Sequence, residues 1–286
     1  MLQNTMHRQV LILASSQSLF QTISVIVMTI GGGGIVAALI GPTLARFGGH
    51  LFQHLEYIGS FLIISIISLV AMGILSSLNI AHTVEQKSDF TAGRPWQEIV
   101  FKPTYLVALF GAVTGYGIMI LGMTATPIAM RHSHHELGSI TTVIQLHVLG
   151  MFLPSFFTGN LIARFGVLKI MFAGLVLFAC YIGFALSGIQ FESFAISLIL
   201  LGVGWNFLFI GSTSLLTGTY TPVEKAKAQA INDMTVFIVG LICSFSAGAL
   251  LDLVGWKAMN MALIPWLVIA AVSLFWLSPK REKQPV

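Results

Sequence analysis

The chain has 286 residues, 56% hydrophobic and 8% charged, with a mean hydropathy of +0.90. Globular domains carry about 25% charged residues, so this composition cannot wrap a water-soluble domain of this size and excludes a soluble enzyme. The net charge of +4 comes from bases scattered over short loops rather than gathered in a patch, so no nucleic-acid partner is expected.

Uncharged runs occur at Val10–Ala45, Tyr57–Ala81, Tyr105–Met130, Leu137–Ala163, Ile170–Phe191, Ser193–Val223, Met234–Leu251 and Ala258–Pro279. A crossing needs roughly 20 apolar residues, so the pattern predicts an all-α integral membrane protein of about eight transmembrane helices. The first run is too long for one perpendicular crossing and is interrupted by Gly31–Gly34. A hairpin there would leave Ile35–Ala45, about 16 Å of helix, for the return. One crossing with a glycine-rich irregularity is therefore expected. The apolar stretch also exceeds the usual signal-peptide core of about 7 to 15 residues. Cys180 and Cys243 lie deep in separate runs and read as packing residues.

His82–Thr104 is the longest polar segment and divides two helices from six. The expected organisation is an N-terminal portion over 1–81, a cytoplasmic linker over 82–104, a six-helix bundle over 105–279 and a tail over 280–286. Lys280–Lys283 would anchor that tail at the inner leaflet of the bilayer. With eight crossings, one side carries Arg8, Lys87, Arg94, Lys102, Arg164, Lys169, Lys225, Lys227, Lys280, Arg281 and Lys283, and the other carries Arg46, Arg131 and Lys257. The positive-inside rule then puts both termini in the cytoplasm.

Three copies of one spacing end spans: Gly41-Pro-Thr-Leu-Ala-Arg-Phe-Gly48, Gly159-Asn-Leu-Ile-Ala-Arg-Phe-Gly166 and Gly248-Ala-Leu-Leu-Asp-Leu-Val-Gly255. Glycines at a helix end permit close approach and a positive-φ turn. At Gly159–Lys169 the glycine-rich, basic turn resembles the loop signature of the major facilitator superfamily of secondary transporters. It keeps the base at Arg164 and the glycine at Gly166, has a further base at Lys169, and has Ala163 where the pattern places an acid. The stretch from Gly115-Tyr-Gly through Thr124–Pro127, His147–Pro154, Asn232-Asp233 and Gly255-Trp256 to Asn260 looks like one bacterial subgroup of that superfamily.

The resemblance implies two six-helix halves around a central substrate site, in a cell membrane of the bacterial inner-membrane kind. Six helices follow the linker. Before it, Val10–Ile30 looks like a first helix and Ile35–Ala81 like a fifth and sixth, with the tetraglycine as junction. The N-terminal half is thus read as shortened.

Asp233, near the start of its crossing, is a candidate proton or cation site, or else an interfacial carboxylate stabilised by its helix N-terminus. His147, at mid-span, is a coupling candidate or a neutral packing histidine. Gln145 lies about 200° round the helix from His147, so the two cannot both face one narrow cavity. Gln17, Gln21, Tyr116, Met119, Trp205, Asn206 and Asn232 are candidate cavity residues, with helix packing the alternative for each. His132, His134, His135 and Glu136, with His50 and His54, have no metal-specific spacing and read as exposed polar turns. No GxxxxGK[ST], HExxH or GxSxG occurs; no cofactor and no enzymatic activity is expected.

The leading function is secondary-active transport of a small solute, coupled, if to any ion, to protons. The alternative is a truncated, non-transporting membrane protein or remnant acting through helix–helix interaction. A homodimer of facing six-helix bundles is a third arrangement that symmetry allows.

Overall fold

Lipid offers no partner for backbone N–H and C=O groups, so apolar runs must pair them internally. The computed structural model describes residues 32–33, 35–36, 39–41, 58–77 and 93–282, and among these residues no strand occurs. Its helices are α1 (Ile58–Ser77), α2 (Trp96–Val100), α3 (Pro103–His132), α4 (Leu137–Phe152), α5 (Ser155–Phe165), α6 (Val167–Ser187), α7 (Phe191–Thr217), α8 (Lys225–Met261) and α9 (Leu263–Glu282). Most of the first apolar run, with Gln17 and Gln21, lies outside the described residues, as do Gly48, His50 and His54. The expected count of eight crossings therefore extends beyond them.

Helix ends follow local chemistry more than the loss of apolar character. Pro103 opens α3, where its missing N–H costs nothing, and Arg131 and His132 sit in its last turn near the free carbonyls. The seventh apolar run begins at Met234, yet α8 begins at Lys225. Charges end the hydrocarbon-compatible stretch without ending the helix. The second leg breaks at Leu153-Pro154, and α4 and α5 meet at a 41° bend. Proline supplies no N–H to the ladder there.

Length and composition pick out four membrane-length helical stretches among the described residues, or five with the bent pair as one span. The last, Lys225–Ser278, has 54 residues and would measure about 81 Å if straight, more than twice a hydrocarbon core. It is two legs that double back at Gly255, whose φ is 78° and ψ 168°. A Cβ built on Gly117 of α3 would meet the Trp266 ring at 2.7 Å and Cys243 Sγ at 3.4 Å. Those residues would stand about 35 Å apart along one straight helix. Gly166 makes the corresponding turn between α5 and α6 with φ 89°. The closing glycines of two repeat copies thus do the same work. The close-approach use does not extend to Gly159, where a Cβ would meet nothing within 4 Å.

From Pro103 to Ser278 the legs alternate in direction. Tyr105 of α3 donates to the Ala228 carbonyl at the start of α8, so these two run parallel. Trp256 Nε1 donates to the Ala185 carbonyl near the end of α6, while Phe275 packs on Phe172 near its start; the last leg is antiparallel to α6. The buried core runs along α7, where Leu198, Leu201 and Leu208 are fully buried. Gly150 and Gly202 let α4 and α7 approach backbone to backbone, since a Cβ on Gly150 would lie 2.9 Å from the Ile199 carbonyl oxygen. On α1, by contrast, Phe61, Ile64, Ile67 and Val70 are exposed.

Candidate functional site

One face of the bundle, formed by α3, α7 and α8, carries a ladder of aromatic rings. Trp205 and Phe209, four apart on α7, share a helical stripe and stack at 5.2 Å with planes 13° apart. Phe209 reaches Tyr116 of α3 at 6.1 Å, and Tyr116 meets Phe237 of α8 edge-on at 5.8 Å. Gly240 makes room for the Tyr116 ring, whose Cδ1 would lie 2.8 Å from a Cβ there. The first three rings are half-buried and Phe237 is exposed. Trp205 Nε1 is buried and has no hydrogen-bond partner among the described residues. The face therefore offers stacking area beside a buried indole N–H that has no partner among the described residues.

One turn from Phe237 on the same stripe of α8 is Asp233, which is exposed. Its Oδ1 accepts from Asn232 Nδ2 at 3.0 Å. Asn232 is only 6% exposed, and its own Oδ1 has no partner among the described residues. Two hydrogen-bond acceptors thus adjoin the ladder.

The other sequence candidates lie elsewhere. Asn206 is fully buried; it donates to the Met151 carbonyl at 2.7 Å and Ser155 Oγ at 2.6 Å, and accepts from Thr158 Oγ1 at 2.6 Å. It therefore spans the α4–α5 break rather than the open face. His147 is also fully buried, with Nδ1 2.9 Å from the Leu198 carbonyl oxygen and Nε2 without a partner among the described residues. Gln145, half-buried on another side of α4, donates to the Leu39 carbonyl at 3.4 Å. Met119 is 3% exposed, within the core. Tyr116, Trp205, Asn232 and Asp233 come together on one face; Met119, Gln145, His147 and Asn206 do not join them. Sequence reasoning missed Phe209 and Phe237. Their signal was i, i+4 spacing from Trp205 and Asp233.

At the end of the bundle where α3 begins, Arg94 forks onto Glu224, with Nε–Oε1 2.7 Å and Nη2–Oε2 2.6 Å. The Glu224 side chain is 2% exposed. The Arg94 side chain, then the Thr221 backbone N–H, holds the Glu224 carboxyl well below the ordinary carboxylate range. Lys102 Nζ donates to the Thr219 carbonyl at 3.3 Å. Arg164 and Lys169 of the basic turn are exposed there, with Arg164 over the Phe165 ring at 5.2 Å. At the opposite end, His135 Nε2 lies 2.8 Å from the Ile189 carbonyl oxygen. Among the described residues, no three His, Cys, Asp or Glu side chains converge as metal ligands would.

An outward groove of about 470 Å³ between α6 and α9 is lined by Phe172, Val176, Ile264, Val268 and other apolar residues. It offers dispersion contacts without the converging polar groups that orient a solute. The ladder face has both.

Comparison with known proteins gives a consistent picture. Residues 107–286 match the Major Facilitator Superfamily. The chain is 40% identical over 250 residues to the riboflavin transporter RfnT of Brucella anthropi, a match covering 87% of this chain and 63% of that protein. It is 34% identical over 161 residues to the uncharacterized MFS-type transporter YdeG of Bacillus subtilis, covering 53% of this chain and 37% of that one. A second uncharacterized MFS-type transporter of Bacillus subtilis, YddS, is 33% identical over 172 residues, 54% of this chain and 39% of its own. The matches thus span less than two thirds of each relative's length. No solved structure matches the chain.

Proposed function

The chain belongs to the major facilitator superfamily, a family of membrane transporters, and from that premise we propose that it carries out secondary-active transport of a small, flat aromatic solute of the riboflavin class. The observation that carries this reading is the Trp205–Phe209–Tyr116–Phe237 ladder with its unused indole N–H. A fused heteroaromatic ring can stack on it and accept a hydrogen bond at its edge. The name of the relative RfnT supports the same solute chemistry.

In this reading the six-helix bundle over 105–279 forms one wall of the pathway, the 82–104 segment is the linker, and alternating access rocks this bundle against the wall that faces it. Residues 1–81, read as a shortened first half, supply that second wall alone or together with a second copy of the chain. Coupling to protons is assigned to Asp233, which is exposed on the ladder face. His147 is sealed between α4 and α7 and holds helices together.

Uptake of riboflavin into proteoliposomes under an imposed pH gradient tests the proposal. Accumulation should follow the gradient and fall about three- to tenfold in Trp205→Ala, the loss of one stacked contact. No gradient-driven accumulation by the parent chain at verified incorporation would instead support the non-transporting alternative.

A further inference from the structure

Resting on the riboflavin-class reading, we propose that Asp233 and Asn232 form a polyol subsite beside the ladder, so that the protein selects a flat ring bearing a polyhydroxyl chain over the bare ring. The ladder alone cannot make this distinction, because stacking recognises any aromatic face. The α8 pair can. Asp233 is an exposed carboxylate, and its Oδ1 accepts from Asn232 Nδ2. Asn232 is 6% exposed, and its Oδ1 is an acceptor with no donor among the described residues. A buried amide oxygen left in that state costs free energy until a ligand supplies a hydrogen.

Two nearby donors of the chain are already engaged. The Tyr105 hydroxyl donates to the Ala228 carbonyl at 2.8 Å, and Gln229 Nε2 donates to the Tyr220 hydroxyl at 3.0 Å. Lys227 stands six residues nearer the bundle end, about 9 Å from Asp233 along α8. Among the described residues no donor reaches Asn232 Oδ1, and a sugar-alcohol chain is a run of hydroxyl donors spaced at one per carbon. Asp233 lies one turn, about 6 Å, from Phe237, so a ring seated on the ladder would deliver an attached chain to this pair.

The test compares two flavins that share one ring: riboflavin, with its ribityl chain, and lumiflavin, with a methyl group in its place. Binding to the purified chain in lipid nanodiscs is followed by quenching of flavin fluorescence. The parent chain should bind riboflavin about tenfold more tightly than lumiflavin, as expected for one or two charge-assisted hydrogen bonds. Asp233→Asn should shrink that ratio towards one, and Asp233→Glu should recover part of it. A preference for riboflavin that survives Asp233→Asn, or a parent chain that binds both flavins equally, overturns the subsite while leaving the stacking platform intact. A parent chain that binds neither flavin overturns the riboflavin-class reading and the subsite with it.

Discussion

Asn206 spends its whole amide on the break in the second leg. Its Nδ2 donates to the Met151 carbonyl and Ser155 Oγ, and its Oδ1 accepts from Thr158. Pro154 has no N–H to continue the helical ladder, so the free backbone groups around the bend must find partners from a neighbouring helix. Asn206→Ala would strand the Met151 carbonyl in a dry interface and should cost about 1–3 kcal/mol, seen as a lower melting temperature in detergent. An unchanged melting temperature would show that the bend holds without it. The sequence marked Asn206 as polar and intramembrane, which is as far as residue type reaches. Its neighbour Trp205 points to the ladder and Asn206 into the bend because successive residues differ by about 100° round the helix. No residue on α7 alone reveals which neighbour fills each direction. His147 shows the same limit: its burial against Leu198 depends on the Gly150–Gly202 approach between two helices.

The helices themselves were more legible, because hydrocarbon thickness imposes a length and lipid forbids any other way of pairing the backbone. Gly166 and Gly255 close repeat copies and make the expected positive-φ turns. Helix starts were less legible, since α8 takes in Lys225, Lys227 and Asp233 before its apolar run begins. The expected linker is partly folded structure: Gly93–Lys102 includes α2 and is pinned by Arg94 to Glu224 in the connection between α7 and α8. Gly93, with φ 98°, accommodates this closeness, as a Cβ there would lie 2.9 Å from Glu224 Cγ. The pairing sets a pH dependence. Because the folded-state carboxyl lies below its ordinary value, its contribution is present above the unfolded pKa of about 4.3 and is lost progressively as pH falls towards the lower folded value. Amide hydrogen exchange corrected for intrinsic rates should show residues 93–102 protected at neutral pH and less protected under acid. In Glu224→Gln that protection should already be weak at neutral pH. Equal protection in both proteins would rule out the ion pair as the anchor.

Among the described residues, the alternating legs sort the bases to two ends of the molecule. Arg94, Lys102, Arg164, Lys169, Lys225 and Lys227 lie at the end where α3 begins, and Arg131 and Lys257 lie at the other. Arg94 is neutralised by Glu224, but Arg164, Lys169 and Lys225 are exposed and free to meet an anionic leaflet. Translocating such bases is unfavourable, and an inner leaflet rich in anionic lipid attracts them, so the α3-start end should face the cytoplasm. The turns at His132–Leu137 and Gly255 then face outward, and α9 returns its end to the inner side. The ladder keeps its depth in either orientation, but orientation decides which solution each end of the pathway meets. The prediction can be checked with single cysteines in a Cys180→Ala, Cys243→Ala background, using a thiol reagent that cannot cross the membrane. His134→Cys should be labelled in intact cells, whereas Lys169→Cys should require permeabilisation. The reverse pattern would invert the molecule and would move the basic turn at Gly159–Lys169 to the outer face, where the charge argument offers no reason for it.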